Sequence, residues 1–390
     1  MNWLAAGRRW RKSTLGTFIA TNEALKGGQY IWGAPTYKQV RIAWDMAHEI
    51  WGGYAEFAIT KNTITFPGAG KIIYLSLDDP DNARGYTADG VILDEVGYIK
   101  QIAYYGILRP MLIDTGGWLW GLGTPNGRNW FWKESMAAKD REDSMSWQTP
   151  TLGVEIRDGR LLRKPHPLEN PFISFEEIQE VYRTSSQRVF EQEILAEFLE
   201  GEGAVFRNIR ACLGAPKDAK PGKHKGHNIV AGWDWGKQND FTVGSIGCAD
   251  CKVELVLYRS NKLDYTFQVG RAGALHDRWK MSTILAESNA MGEPIIEQLQ
   301  RAGLPVSGFQ TTATSKPPLI ENLALALERA EFQFLDIPVA TAELEAFERR
   351  VNPTTQRSSY SAPENMHDDT VIARALMLRA ATSGLFSMVL

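Results

Sequence analysis

Val91-Ile92-Leu93-Asp94-Glu95 is an apolar, partly β-branched run that ends in two adjacent carboxylates. A buried strand has this pattern when it delivers acids to a site at its tip, and so does an ordinary strand running into a solvated turn. In a nucleoside-triphosphatase the first acid would hold Mg²⁺, and the second would polarise the attacking water. The neighbouring sequence has to decide between the two.

Upstream, the chain opens on Ala6-Gly7-Arg8-Arg9-Trp10-Arg11-Lys12-Ser13-Thr14. A phosphate-binding loop reads GxxxxGK[ST], because backbone N–H groups cradle phosphate, the lysine reaches the β/γ oxygens and the hydroxyl binds Mg²⁺. Gly7, Lys12 and Ser13 fall in register, while Arg11 stands where the second glycine belongs. The sequence then predicts a helix over 15–26 closed by Gly27-Gly28, a strand over 30–34 stopped at Pro35, and an amphipathic helix over 37–51. Residues 57–77 read as hairpin material turning at Pro67-Gly68-Ala69-Gly70. Downstream of the acidic strand, Trp118–Gly123 is a further apolar strand whose tip carries Thr124 and Asn126, both able to sense a γ-phosphate. The interval between Lys12 and Asp94 leaves room for the βα units of a doubly wound sheet. Residues 172–200 read as helical, with an apolar stripe from Phe190 to Phe198.

The 390 residues are 44% hydrophobic and 23% charged with a formal net charge of −3, so any nucleic-acid contact must come from local patches. No apolar run approaches the roughly 20 residues that span a bilayer, and the amino terminus lacks the pattern of a secretory signal. Three cysteines make no disulfide framework, which points to an intracellular setting. The Lys, Gly and Pro-rich stretch 215–227 has no periodicity and marks a boundary, with a solvated linker as the plain reading and a basic DNA contact as the sharper one. The expected layout is 1–200 as one domain, with about 148–200 as a helical lid, 201–228 as linker and 229–390 as a second domain.

The second half presents acids on separate elements. Asp234 ends the first strand of a three-strand meander, Glu287 ends a later strand, and Asp368 and Asp369 open a closing apolar helix; Asp240 is a possible outer ligand. Clustered carboxylates repel and raise one another's pKa unless cations neutralise them. Two Mg²⁺ ions would do so while holding the attacking water and leaving oxygen of a phosphodiester, the logic of an RNase H-like nuclease. Cys248-x-x-Cys251 with His224 and His227 nearby has zinc-site composition. Its place in a hairpin turn, without a second Cys-x-x-Cys, favours a plain turn.

Taken in order, Gly7 to Ser13, Ala34-Pro35-Thr36-Tyr37, Arg84-Gly85-Tyr86, Ile92–Glu95, Gly123-Thr124-Pro125, Asp234, Glu287 and His367-Asp368-Asp369 resemble the large terminase subunit of tailed bacteriophages. The resemblance implies an α/β chain: a P-loop (ASCE/RecA-like) ATPase domain followed by an RNase H-like nuclease domain. It implies that Gly7, Lys12, Ser13 and Thr14 bind ATP and Mg²⁺, that Arg8 or Arg9 senses the γ-phosphate, and that Asp94 helps to hold Mg²⁺. Glu95 would be the catalytic base, Thr124 the coupling residue, and Arg84 an arginine finger toward a neighbouring subunit. Asp234, Asp240, Glu287, Asp368 and Asp369 would hold the nuclease Mg²⁺, with Mn²⁺ able to substitute. The family usually has a segment ahead of the loop that contacts adenine and supplies the preceding strand; either the true start lies upstream, or Asn2–Ala6 alone is the first strand and nucleotide binding is weak. Implied partners are double-stranded DNA, a small terminase subunit and the portal or procapsid. A homo-oligomeric ring would form on the portal, monomeric in solution, in the host cytoplasm and with no membrane. Rival readings are an RNase H-like recombination or repair enzyme with an ATPase domain, a packaging subunit whose ATPase half has decayed, and a metal hydrolase of small molecules.

Overall fold

The computed structural model describes the chain apart from residues 158, 200–202, 237–240, 262–263, 290–291, 352–357, 364–365 and 387–390. Two compact units divide it: Met1–Gly201 with Val351–Ser358, and Glu202–Arg350 with Ser359–Leu390.

The first unit is built on eight strands: β1 (Asn2–Ala6), β2 (Gln29–Ala34), β3 (Glu56–Ala58), β4 (Thr63–Thr65), β5 (Lys71–Ser76), β6 (Gly90–Leu93), β7 (Trp118–Gly123) and β8 (Met145–Thr149). Their order is β3-β4-β5-β2-β6-β7-β1-β8. From β5 to β8 every pairing is parallel, and the β3-β4-β5 edge is antiparallel. Alternate residues of the central strands enter two different cores. Trp3, Ile31, Val91 and Leu93 pack on one face, while Leu4, Trp32 and Ile92 pack on the other. Both faces are therefore covered, as a parallel sheet requires. Helices α1 (Lys12–Ala24) and α2 (Tyr37–Trp51) cover the second face through Ala20, Ala24, Val40, Ala43 and Trp44. Strand β7 lies between β1 and β6, so its tip separates the loop after β1 from the acids after β6. This is the layout of a P-loop ATPase.

The helical reading of 172–200 is corrected in part. Helices occupy Phe175–Thr184 and Gln187–Glu193, each started by a serine cap, Ser174 and Ser186. Beyond Glu193 the stripe to Phe198 is not helical, and Ala196 takes a left-handed φ of 59°.

The second unit centres on a five-stranded sheet in which Val253–Ser260, Thr242–Cys248 and Ile229–Asp234 form an antiparallel meander. Thr283–Glu287 and Val306–Phe309 extend it in parallel. That arrangement is RNase H-like. Ile229, Ala231 and Trp233 face one core, whereas Val230 faces the core covered by the closing helix Asp369–Phe386. Gly232 lies on that same face, and a Cβ there would meet the Ala373 carbonyl at 2.0 Å. The helix thus lies directly on the strand that ends in Asp234. The expected linker is only partly one: Val205, Phe206, Ile209 and Cys212 are buried in the second unit's core.

One ion pair locks the closing helix in place. The Arg374 guanidinium donates to Glu254 from Nε at 3.1 Å and from Nη2 at 2.8 Å, with both side chains fully buried. Ser245 Oγ and Leu335 N complete the carboxylate's partners at 2.7 and 2.9 Å. Removing one member leaves an uncompensated buried charge, at a cost of about 3–5 kcal/mol. Chemical denaturation should show Arg374→Met and Glu254→Gln each losing stability on that scale. The double variant should recover part of the loss, and full additivity would contradict a direct pairing.

Candidate functional site

The first site grows from the turn between β1 and α1. Arg9 and Arg11 hold left-handed φ values of 64° and 75°, so Arg11 occupies a conformation that glycine adopts without cost. Gly7 is required by close approach, since a Cβ would meet Thr151 Oγ1 at 2.2 Å. Lys12 turns back into the loop and donates from Nζ to the Ala6 and Gly7 carbonyls at 3.0 and 3.1 Å and to Thr124 Oγ1 at 2.9 Å. Burial lowers its pKa, against the opposing pull of Glu95 and Asp94. Ser13 Oγ donates to Asp94 Oδ2 at 2.7 Å, joining the hydroxyl and carboxylate that a Mg²⁺ ion would share. Glu95 stands next to them at a left-handed φ of 49°. Desolvation raises the pKa of Asp94 and of Glu95.

These groups open on a cavity of about 360 Å³ lined by Arg8, Arg9, Arg11, Lys12, Ser13, Thr14 and Glu95 on one side and Asn170, Phe172 and Ile173 on the other. The loop is held from outside. Thr151 Oγ1 donates to the Arg8 carbonyl at 2.6 Å, Asn170 Nδ2 to the Arg9 carbonyl at 2.7 Å, and Trp10 Nε1 to the Leu168 carbonyl at 2.5 Å. Arg8 pairs with Glu193 at 2.6 Å, and the Arg11 guanidinium stacks 5.2 Å from the Phe172 ring centre. Sequence reasoning missed Thr151, Asn170, Phe172 and Glu193, because they sit in turns or at a helix end with no periodic or motif signal. Arg84 is an exposed residue paired with Asp81 at 2.5 Å and does not line this cavity.

In the second unit, strand register does the assembly. Trp233 pairs with Ala286 in a parallel ladder, so Asp234 and Glu287 follow side by side. Both lie on the face toward the closing helix, the face of Val230 and Leu285. Asp369, the first residue of that helix, accepts from the Phe241 backbone N–H at 3.3 Å. Burial raises the pKa of Asp234 well above its usual range; the negative charge of Glu287 and a hydrogen bond to it add to the effect, followed by Asp369 and Asp368. Asp368 is partly diverted, since Lys316 Nζ lies 3.2 Å from its Oδ2. Asn289 Nδ2 holds Glu287 Oε1 at 3.1 Å and was legible in the run Glu287-Ser288-Asn289, though not assigned a role. Asp240 lies outside the described residues. This donor set, all carboxylate oxygen, fits hard divalent cations.

The raised pKa of Asp234 fixes the sign of a stability effect. Its stabilising contribution is present below the ordinary carboxyl value of 3.8 and is lost as pH rises through the folded-state pKa. With chelator present at neutral pH, Asp234→Asn should therefore melt at a higher temperature than the parent, the gap closing near pH 4. Mn²⁺ should raise the melting temperature of the parent and not of the variant. A gap independent of pH would contradict this assignment.

No family profile matches the chain. It is 27% identical to the large terminase subunit of Thermus virus P23-45, over 95% of this chain and 82% of that protein. It is also 27% identical to the large terminase subunit of Thermus phage G20c, over 77% of this chain and 63% of that one. A solved large terminase from another thermophilic bacteriophage superposes with a TM-score of 0.59 at 15% identity, covering 97% of this chain and 92% of its own. The same phage protein in complex with ATP-gamma-S superposes at 0.58.

Proposed function

We propose, from the likeness of this chain to the large terminase subunits of bacteriophages, that its first unit hydrolyses ATP to drive double-stranded DNA into a procapsid and that its second unit cuts concatemeric DNA. The observation that carries the reading is the contact of Ser13 with Asp94 beside buried Lys12 and Glu95, on a cavity open to the arginines of the loop.

In this reading ATP phosphates replace the Ala6 and Gly7 carbonyls as partners of the Lys12 ammonium. Mg²⁺ held by Ser13 and Asp94 would neutralise charge on the β and γ oxygens. Glu95, whose pKa burial raises, takes the proton of the attacking water. Arg8 or Arg9, both lining the cavity, would sense the γ-phosphate, and Thr124 would report its loss through the bond it shares with Lys12. Thr14 supports the loop from the start of α1. Arg84, exposed, would serve a neighbouring subunit of a ring rather than its own site. In the nuclease unit, Asp234, Glu287, Asp368 and Asp369 would hold Mg²⁺ or Mn²⁺, which would supply water activation and stabilise the leaving oxygen. Asn289 keeps Glu287 aimed at the site.

The domain assignment that goes with this is 1–200 for the motor, about 148–200 as its lid, and 229–390 for the nuclease. Among the described residues, no helix is long and apolar enough to cross a membrane. DNA and the packaging machinery are the partners of such a chain. A small terminase subunit, the portal and a homo-oligomeric ring acting in the host cytoplasm complete the proposal.

Plasmid cleavage with Mn²⁺ and steady-state ATP hydrolysis separate the two activities. Asp234→Ala should lose cutting and keep ATP hydrolysis; Lys12→Ala should do the reverse. An intact plasmid with the parent protein under both Mg²⁺ and Mn²⁺ would overturn the nuclease assignment. Glu95→Gln should retain ATP binding in a filter assay while kcat falls by about 10²–10⁴-fold. Unchanged turnover would remove Glu95 as the base.

A further inference from the structure

The second unit holds a cluster that neither activity uses. His224 closes the 3₁₀ turn Pro221–His224, His227 follows it in the loop, Cys248 ends the strand Thr242–Cys248, and Cys251 lies in the hairpin turn beyond. One ligand atom from each of the four lies within 4.8 Å of all the others. Cys251 Sγ is 3.2 Å from His227 Nδ1 and 3.5 Å from His224 Nδ1, and Cys248 Sγ is 3.5 Å from His227 Nδ1. A tetrahedral zinc ion, with Zn–N near 2.0–2.1 Å and Zn–S near 2.3 Å, sets its ligand atoms roughly 3.3–3.8 Å apart. Paired S–H···N bonds would satisfy one sulfur and one nitrogen at a time and give no reason for all four to converge. We infer that His224, His227, Cys248 and Cys251 form a structural zinc site.

The surrounding backbone is built for it. The Cys251 N–H points at Cys248 Sγ, 3.4 Å away, a donor that supports a thiolate ligand. Lys252 closes the turn at a left-handed φ of 56°. The histidine segment is tied to the turn on both sides: Ala249 N donates to the Asn228 carbonyl at 2.9 Å, and Asn228 N donates to Asp250 Oδ2 at 2.5 Å. Sequence spacing argued against zinc for want of a second Cys-x-x-Cys. The fold supplies the missing half as two histidines, because Ile229 pairs with Cys248 and brings the strand's entry alongside the turn.

The site is separate from the nuclease acids in place and in chemistry. It sits at the Ile229 end of the strand that ends in Asp234, about 17 Å away along an extended chain. Two sulfurs and two imidazoles select zinc, whereas Mg²⁺ takes oxygen ligands. With four protein ligands no position remains for water or substrate, so the ion fastens rather than catalyses. It pins the stretch before Ile229, which the sequence presents as an open basic linker, to the hairpin turn that follows Cys248. Each cysteine gives up its thiol proton to the solvent on binding, leaving a neutral Zn(Cys)₂(His)₂ centre.

Elemental analysis of the full-length protein, after ZnCl₂ reconstitution and desalting, should find about one zinc per chain. Asp234→Asn should keep it, and Cys248→Ser/Cys251→Ser should lose it. Alkylation of the exposed Cys251 by iodoacetamide, read by mass spectrometry on the unmutated protein, should speed up by at least ~10-fold when a strong chelator removes the metal. Co²⁺ in place of zinc should give the thiolate charge-transfer and ligand-field bands of a tetrahedral S₂N₂ site. Absence of stoichiometric zinc from the unmutated protein, zinc retained in the double cysteine variant, or Cys251 alkylation indifferent to the chelator would each overturn the assignment, and the last two need no loss of nuclease activity to be read.

Discussion

A carboxylate at the tip of a buried strand has lost its water, and it keeps its charge only if something positive or hydrogen-donating faces it. Each unit is arranged around that constraint, and they meet it differently. Asp94 is answered from within: Ser13 donates to one oxygen, the Glu95 N–H donates to the other at 3.1 Å, and the Lys12 ammonium stands close. Lys12 is held in turn by two carbonyls and Thr124, so the charges at this site answer one another within the unit. Among the described residues the groups that act on Asp234 do not answer it in this way. Its neighbours Glu287, Asp369 and Asp368 carry the same sign, and the Lys316 ammonium is engaged by Asp368. The nuclease site is thereby a cation site by default, protonated or metal-bound and ill at ease otherwise.

Holding such a set of acids together demands rigid support, which accounts for the buried pair Glu254–Arg374. The closing helix delivers Asp369 as its first residue and Asp368 just ahead of it, and a shift of that helix would move them relative to the strand ends. Contact with Gly232 fixes its distance from the sheet, and the guanidinium fixes its rotation and register. Apolar packing alone would tolerate small slides. A bidentate pair with Ser245 and Leu335 also engaged does not.

The motifs legible in the sequence were those in which chemistry coincides with the end of a regular element: Lys12 and Ser13 at a helix start, Asp94, Asp234 and Glu287 at strand ends, Asp369 at a helix mouth. There periodicity locates the element, and the residue stands at its end, where the structure also places it. What stayed hidden depends on tertiary approach. The clasp by Thr151, Asn170 and Phe172 comes from turns far along the chain, and no local pattern announces a side chain aimed at a distant carbonyl. The boundary stretch misled because Lys, Gly and Pro suggest open chain, while Phe206 and Ile209 just before it are buried. The turn at Cys248 misled because a half-set of ligands was judged on sequence spacing, whereas pairing of the strand with its neighbour brought the other half.

The clasp also answers the question that Arg11 poses. A left-handed residue other than glycine costs roughly 1–2 kcal/mol, so the loop cannot rely on its own backbone preference to hold the phosphate-cradling shape. It is shaped by what grips it: Thr151 on the Arg8 carbonyl, Asn170 on the Arg9 carbonyl, the Leu168 carbonyl on the Trp10 indole, and Phe172 beneath Arg11 itself. Where a glycine would let the loop find its shape alone, here the shape is conditional on the segment around residues 150–173 being in position. A movement of that segment is then felt at the phosphate site through four contacts at once. A residue that weakens the loop's autonomy thus ties it more closely to the part of the motor unit that covers it.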